Sequence, residues 1–453
     1  MMDESALRDI ADRAVAMSLR MGAEKCDVVA VDTRSISVDL ERGSVKQANI
    51  ASDPGVGTRV FSKGSSGFAF CTGSDERPLA RAVELAVSLS RAGTPDPDFK
   101  DLPPKREPRQ LPGLYEARVA GISPEEVVRM VMEMSDIASD HGKVTSSNAS
   151  AGVSACNIAL SNSNGSSSFQ RMTSVDIVVE AVARDGDTMF SGYDSSSARI
   201  LRPGAIERTS VTAREQAVKG LAQVRLETGD YPVVMDPLAA GFVLRSGLGG
   251  GANADSVQRG RSYLAGRLGQ MVGSDIVTVT DDPTLEWASG STSFDGEGVP
   301  TAPLAVIVRG RLESFLHDSY TAGKESREST GNSSRGGSVW SYCHPPGISP
   351  TNLVVAPGGS CFEEMVQETR EGVYLRATFD QPNLATGEFS GLMMESYVIS
   401  GGELGPSVRQ STMGIGMVDM LSRVDMLGRE PRDYFGVRVP YMRISSARIA
   451  GSA

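Results

Sequence analysis

Asp295 and Glu297 alternate with Gly296 and Gly298 in the stretch S-F-D-G-E-G-V-P-T-A-P at 293–303. Alternating acids beside glycine suit either a cation loop or a tight turn. Asp281 and Asp282 stand a short way upstream. A helix–loop–helix calcium site needs an oxygen at every second position over about twelve residues. This stretch has too few, so turn chemistry at a strand end is the favoured reading. The run S-G-L-G-G-G-A-N-A-D at 246–255 has the composition of a phosphate cradle. It carries no G-K-[ST], and no G-x-G-x-x-G followed by a ribose-binding acid, so a tight turn or close packing is preferred. Cys343, His344 and Cys361 are zinc-ligand types. The first two are adjacent, flanked by Pro345 and Pro346, and no fourth ligand stands near them. His141, His317 and His344 are the three histidines, and no two fall within one helical turn. An H-E-x-x-H zinc helix is therefore absent. No G-x-S-x-G elbow supports a serine nucleophile either, and His317-Asp318 reads as a strand-to-helix edge.

These residues need elements to hold them. Ala6, Leu7, Ile10, Ala14, Met17 and Met21 recur at helical spacing until Gly22 stops them. Two alternating runs follow, C-D-V-V-A-V-D-T and S-I-S-V-D-L-E-R-G-S-V-K-Q-A, and read as strands. The segment from Gly55 to Gly73 reads as a hairpin with K-G-S-S-G as its turn. A second helix is expected over 75–91, and a connector over 94–113, which holds six prolines. Ser123-Pro124-Glu125-Glu126 has the cap, first-turn proline and early acids of a helix start, and that helix should run to about Asp140. Strand-like sequence fills 143–200, and a last helix near 203–226 closes this half. From Tyr231 short β-rich runs dominate, with helical interruptions near 254–270, 361–371 and 411–424. The expected fold is α+β: helices on an antiparallel sheet over 1–228, then a predominantly antiparallel, barrel-like β domain with a few helices over 229–453.

The 453 residues are enough for two or three domains. The net charge of −11, with 45 basic residues scattered and the cluster at 100–109 broken by prolines, argues against nucleic acid as a partner. No apolar run approaches the ~18 residues of a membrane span. The N-terminus M-M-D-E-S-A-L-R-D-I has early acids and no apolar h-region. Five cysteines without C-x-x-C spacing fit reduced structural thiols. A cytoplasmic location is expected.

An ordered set of motifs runs through the second half. D-D-P stands at 281–283, F-D-G-E-G-V-P-T at 294–301 and V-R-G-R-L-E-S-F-L-H-D-S-Y-T-A at 308–322. T-G-N-S-S-R at 330–335, T-N-L-V-V-A-P-G at 351–358 and G-E-F-S at 387–390 follow. In this order and spacing the chain resembles the TldD/PmbA family, cytosolic metallopeptidases built from TldD-type and TldE (PmbA)-type subunits. The resemblance implies that a catalytic subunit carries G-x-L-L-H-E-x-x-G-H-x-x-E-x-D on a helix, with two histidine zinc ligands, a glutamate base and a third, cysteine ligand near the C-terminus. This sequence reads G-F-V-L-R-S-G-L-G-G-G-A-N-A-D at 241–255. Gly241, Leu244, Gly249 and Asp255 keep the frame, while Arg245, Ser246 and Gly250 replace histidine, glutamate and histidine. Met426 or Leu427 stands where the cysteine is expected. A guanidinium stays charged and does not ligate zinc, and glycine has no side chain.

The resemblance thus implies a TldE-like subunit without catalytic residues or metal of its own, with zinc in a TldD-type partner. Unfolded or precursor peptides are the implied substrates. The Gly-rich loop at 246–251 takes the place of the zinc helix, since its three consecutive glycines each weaken a helix by ~1 kcal/mol relative to alanine. F-D-G-E-G-V-P-T is expected to border the peptide-accepting cavity, with Asp295, Glu297, Arg335 and Asn352 as its cavity-loop residues. Arg245 is expected to pair with Asp255 or Asp236. Two other readings stay open: a stand-alone homodimeric peptide-binding protein, and a peptidase using a non-standard metal site drawn from Asp236, Asp255, Cys343, His344 and Cys361.

Overall fold

Asp3 accepts a hydrogen bond from the Ala6 amide and so starts helix α1, Glu4–Arg20, in a computed structural model that describes residues 1–336 and 340–451. Three long strands follow, β1 (Lys25–Glu41), β2 (Ser44–Ser62) and β3 (Ser65–Thr72). Their connections are two-residue turns at Arg42-Gly43 and Lys63-Gly64, with φ positive at both positions of each. That is the type I′ geometry matching strand twist, so the second turn is shorter than the expected K-G-S-S-G loop. Helix α2 covers Glu76–Ala92. The proline-rich connector has no helix or strand over 94–113. At Ser123 and Glu126 a full capping box opens the helix Pro124–Ser139. Strands β4 (Val144–Asn162), β5 (Ser167–Asp185) and β6 (Thr188–Ala198) complete a six-stranded antiparallel sheet in the order β3-β2-β1-β4-β5-β6. The helix Ala205–Lys219 follows, ending at Gly220, earlier than the sequence pattern suggests.

Alternation along β1 sends its two faces to different cores. Cys26, Val28 and Ala30 pack under α1 and α2. Ile36, Val38 and Leu40 continue the same face beneath the helices at 124–139 and 205–219. Val29 and Val31 point the other way, into a cluster with Phe294, Trp340 and Tyr342 from the second half of the chain. That cluster seats the second half on the first sheet.

The second half holds two large open sheets and a small two-stranded one, 333–334 with 347–348, rather than a barrel among the described residues. One runs through the strands 311–312, 304–308, 279–281, 353–355, 437–439 and 432–434. The other is built around Met442–Ala450, Gly229–Met235 and Gly372–Ala377. Pairing is mostly antiparallel, with Leu353–Val355 parallel to Val437–Val439 and Gly372–Ala377 parallel to Gly229–Met235. One core joins both sheets, and through it runs a helix started by Asp236 and Pro237. Ala240, Val243, Leu244 and Leu248 of that helix are buried between strand residues such as Val279, Leu353, Val373 and Met413.

The loop expected at 246–251 is in fact helical. The α-helix Pro237–Val243 continues as a π-helical stretch, Leu244–Gly249, with Gly250 and Gly251 still in helix. Packing overrides glycine's poor propensity here. A Cβ on Gly247 would sit 2.7 Å from Met417 Cε, and one on Gly251 would sit 2.6 Å from the Tyr263 ring. Only a helix without side chains at these positions fits this close to its neighbours. The other helical expectations shrink: 254–270 keeps Ala254–Gln258, 361–371 keeps Phe362–Thr369, and 411–424 divides into a strand, Thr412–Gly416, and a helix, Met417–Ser422.

Candidate functional site: a cavity between the first sheet and the second half

The helix Pro237–Val243 and its π-helical continuation present Arg245 to a cavity of about 330 Å³. Single π turns inside helices are frequent at functional positions. One wall comes from β5 and β6, through Asp176, Val178, Tyr193 and Ser195. The facing wall comes from three loops and a sheet edge, contributing Gly290, Ser334, Thr351 and Phe435.

Arg245 Nη1 donates to the Pro350 carbonyl at 2.9 Å and the Thr351 carbonyl at 3.1 Å, and Nη2 donates to Ser349 Oγ at 3.1 Å. All three acceptors are neutral. Burial lowers its affinity for its proton, and the nearby charge of Asp281 offsets this only in part. The ion pairs expected with Asp255 or Asp236 do not form. Asp255 accepts from Arg259 at 2.8 Å, one turn along its own helix. Asp236 accepts from Tyr374 Oη at 2.6 Å and caps Leu238. Ser246 Oγ donates back to the Phe242 carbonyl at 2.8 Å, and Gly250 faces the Leu384 side chain. The C-terminal residue facing Arg245 is Gly436, where a Cβ would lie 3.4 Å from Nη1. Met426 and Leu427 lie on a strand paired with Met442–Ala450, and Leu427 shares the core with Val243, Leu244 and Leu248.

The donor set does not fit zinc. A guanidinium engaged with carbonyls, a hydroxyl bonded to its own helix and two glycines offer no neutral nitrogen or thiolate. Cys343, His344 and Cys361 do not gather either. Cys361 caps the helix Phe362–Thr369, and no group of three His, Cys, Asp or Glu residues assembles for a metal among the described residues. The four carboxylates of the turn region have protein donors. Asp281 accepts from Asn332 and Thr351, and Asp282 from Thr284.

Asp295, Glu297, Arg335 and Asn352 sit behind the cavity rather than on its wall; their neighbours Thr292, Ser333 and Ser334 line it. Asp295 accepts from the amides of Glu297, Val299 and Ser333 and so fixes the glycine turn. Burial and the adjacent Glu297 charge push its carboxyl above the usual range. Glu297 accepts from Arg59 Nη2 and from the Ser319 amide, each at 2.8 Å. The Arg59 cation holds its carboxyl low against the cost of burial. Arg59 Nε in turn donates to Asp27 at 2.7 Å, and Arg335 donates to the other Asp27 oxygen at 2.6 Å and to the Gly296 carbonyl at 2.7 Å. Asn352 bridges Gly290, Asp282 and Ser291. The D-G-E-G turn is thus one end of a buried charge brace whose other end is the first sheet.

A second brace, which the motif reading does not reach, pins β6. Arg376 binds Glu395 and Asp194, and Tyr434 Oη donates to Asp194 at 2.9 Å. Two carboxylates share one guanidinium in a dry site. Burial pushes Glu395 up to about 7 and Asp194 up to about 6. The folded protein therefore keeps a proton that the unfolded chain has released near 4.5. That contribution to stability is complete below about 4.5 and is lost as pH rises through about 7. In urea unfolding at pH 5 and pH 8, the native chain should lose stability relative to Glu395→Gln as pH rises. A flat difference would mean that the proton is not held.

Three family models match in order: PmbA/TldA metallopeptidase domain 1 at 26–90, the central domain at 118–221 and the C-terminal domain at 228–451. The chain belongs to the PmbA/TldD family. A metalloprotease of Methanothermobacter thermautotrophicus is 28% identical, over 99% of this chain and 98% of that protein. Metalloprotease PmbA of Escherichia coli O157:H7 is 25% identical, over 98% and 97%. Among solved structures, a putative modulator of a DNA gyrase from Thermotoga maritima superposes with a TM-score of 0.88 at 26% identity, covering 98% of this chain and 99% of that one. TldE from Thermococcus kodakarensis has the same fold, with a TM-score of 0.89 at 20% identity over 98% and 100%. No helix among the described residues is long and apolar enough to cross a membrane.

Proposed function

We infer that this PmbA/TldD chain is a TldE-type, non-catalytic subunit that handles unfolded or precursor peptides in the cytoplasm beside a zinc-bearing TldD-type subunit. The observation that carries this reading is Arg245. It occupies the first ligand position of the motif and is tied to the Pro350 and Thr351 carbonyls, while Gly250 packs against Leu384 and Gly436 faces Arg245, neither with a ligand atom. A cavity is present beside Arg245, and β6 is an edge strand on its wall. Edge strands bind extended peptides through main-chain hydrogen bonds with little demand on sequence.

The purified chain should hold no stoichiometric zinc and leave casein and short peptides uncut. A pull-down from the native host should bring a similar-sized H-E-x-x-x-H protein in equal amount, and the pair should cleave peptides in a chelator-sensitive way. One equivalent of zinc, with cleavage by the chain alone, would sink this reading. Recovery of the chain only with itself would replace the heterodimer by a self-associated peptide binder.

A further inference from the structure

The wall of the cavity carries a cation with no carboxylate in direct contact; Asp281, held by Asn332 and Thr351, acts on it only from a distance. Among the described residues, no carboxylate oxygen lies within 4.0 Å of a guanidinium nitrogen of Arg245. Its three hydrogen bonds go to two carbonyls and a hydroxyl, which use three of its five N–H groups. Its Nε–H and second Nη2–H have no protein acceptor among the described residues. The two carboxylates on the same walls are already engaged. Asp176 accepts from Ser174 and Ser197, and Asp433 is paired with Arg202 and Arg438. Arg245 is therefore a half-buried, fixed charge facing the cavity, with donors to spare. Such a group is costly to bury unpaired, and a planar guanidinium with adjacent free donors suits a carboxylate.

The cavity also has a way in. Val178 and Tyr193 belong both to its wall and to an open groove of about 600 Å³ on the uncovered face of the first sheet. That groove is lined by Asp39, Glu41, Lys46, Gln47 and Glu180 among others, with Lys46 paired to Glu41 and the acids in excess. Its acids disfavour a segment rich in negative charge, so a carboxylate reaching Arg245 is best carried singly on an otherwise neutral or basic chain.

The geometry points to a carboxylate-anchoring site: Arg245 receives one carboxylate of a bound peptide in the cavity, with the adjoining residues of that peptide lying along the groove over β5 and β6. This rests on the peptide-handling reading above and names what that site recognises. The carboxylate is supplied either by a free C-terminus or by an acidic side chain.

Three tetra-alanine-based peptides carrying a neutral fluorophore at the N-terminus separate the possibilities: one with a free C-terminal acid, one amidated, and one amidated with glutamate at the last position. Anisotropy titrations use the full chain. A charge-assisted pair on a half-buried guanidinium should make the free acid, or the glutamate amide, bind at least about tenfold more tightly than the plain amide. Which of the two gains identifies the source of the carboxylate. Arg245→Gln should erase the difference, and Arg245→Lys should restore part of it. The wild-type comparison needs no variant, so the test survives if Arg245→Gln fails to fold. Equal binding of all three peptides would overturn the carboxylate site and leave the peptide-handling reading standing. Binding of none would overturn both. A preference that persists in a folded Arg245→Gln would place the carboxylate elsewhere.

Discussion

Arg335→Ala should lower the unfolding free energy by about 3–5 kcal/mol, the usual cost of removing one partner from a buried ion pair. The Arg335 side chain is fully buried, and so, within 1%, is that of Asp27. Its removal strands one Asp27 oxygen and the Gly296 carbonyl at once. Arg59 remains, but it already serves both Asp27 and Glu297. The loss falls where the second half of the chain meets the first sheet, so the effect should reach the whole fold. Asp27→Asn in the same background should recover part of it, because the stranded charge is then gone. A double-mutant cycle by urea unfolding measures this coupling. A change within about 0.5 kcal/mol for Arg335→Ala, the range of ordinary surface substitutions, would show that the brace contributes nothing net.

That brace also marks where the sequence stops being legible. Local signals carry the N-terminal helices: Asp3 and the Ser123–Glu126 capping box announce their helices within a few residues of where they form. Alternation announces β1, because one buried face suffices to set its period. The α+β class follows from these. Asp27 and Arg335, by contrast, are 308 residues apart, and nothing local ties them together. A signal was nonetheless present. Asp27 interrupts the apolar strand C-D-V-V-A-V, and Arg376 interrupts V-Y-L-R-A-T-F. A lone charge in a buried strand must have a partner, so both could have been marked as members of a brace without knowing which residue completes it. The cavity was harder. Its walls come from β5, β6 and the loops near 290, 334, 350 and 435, four of them distant in sequence and unremarkable in composition. Arg245 was found because a motif frame singled it out. Its hydrogen-bond partners, the Pro350 and Thr351 carbonyls, are main-chain atoms and leave no trace in residue type. The D-G-E-G turn is legible as turn chemistry from its glycines and acids, and the amides of Glu297 and Val299 donating to Asp295 fix it; which side of the turn meets the cavity is set by distant residues.

Glycine at 246–251 misled for a different reason, and the remedy is a second prediction. Helix propensity alone says that alanine at any of these positions should stabilise by ~1 kcal/mol. Packing says the positions differ. At Gly251 a Cβ would lie 2.6 Å from Tyr263 Cε1. That ring is nearly buried, and its hydroxyl donates to the Gly247 carbonyl at 3.2 Å, so moving it aside breaks a buried hydrogen bond. Overpacking of this kind costs about 1–3 kcal/mol, which exceeds the propensity gain. At Gly250 the nearest atoms belong to the end of the Leu384 side chain, at 3.0 Å. Leu384 is only partly buried and can rotate away. Gly251→Ala should therefore destabilise by up to about 2 kcal/mol, once the propensity gain is set against the packing cost. Gly250→Ala should be neutral or mildly stabilising. Denaturant midpoints of the two variants beside the native chain decide it. If both gain stability, the helix is held by local propensity and the close approach of Tyr263 is soft. If both lose it, the motif helix has no slack on either side, and a histidine at position 250 could not be accommodated without rebuilding the packing around Leu384.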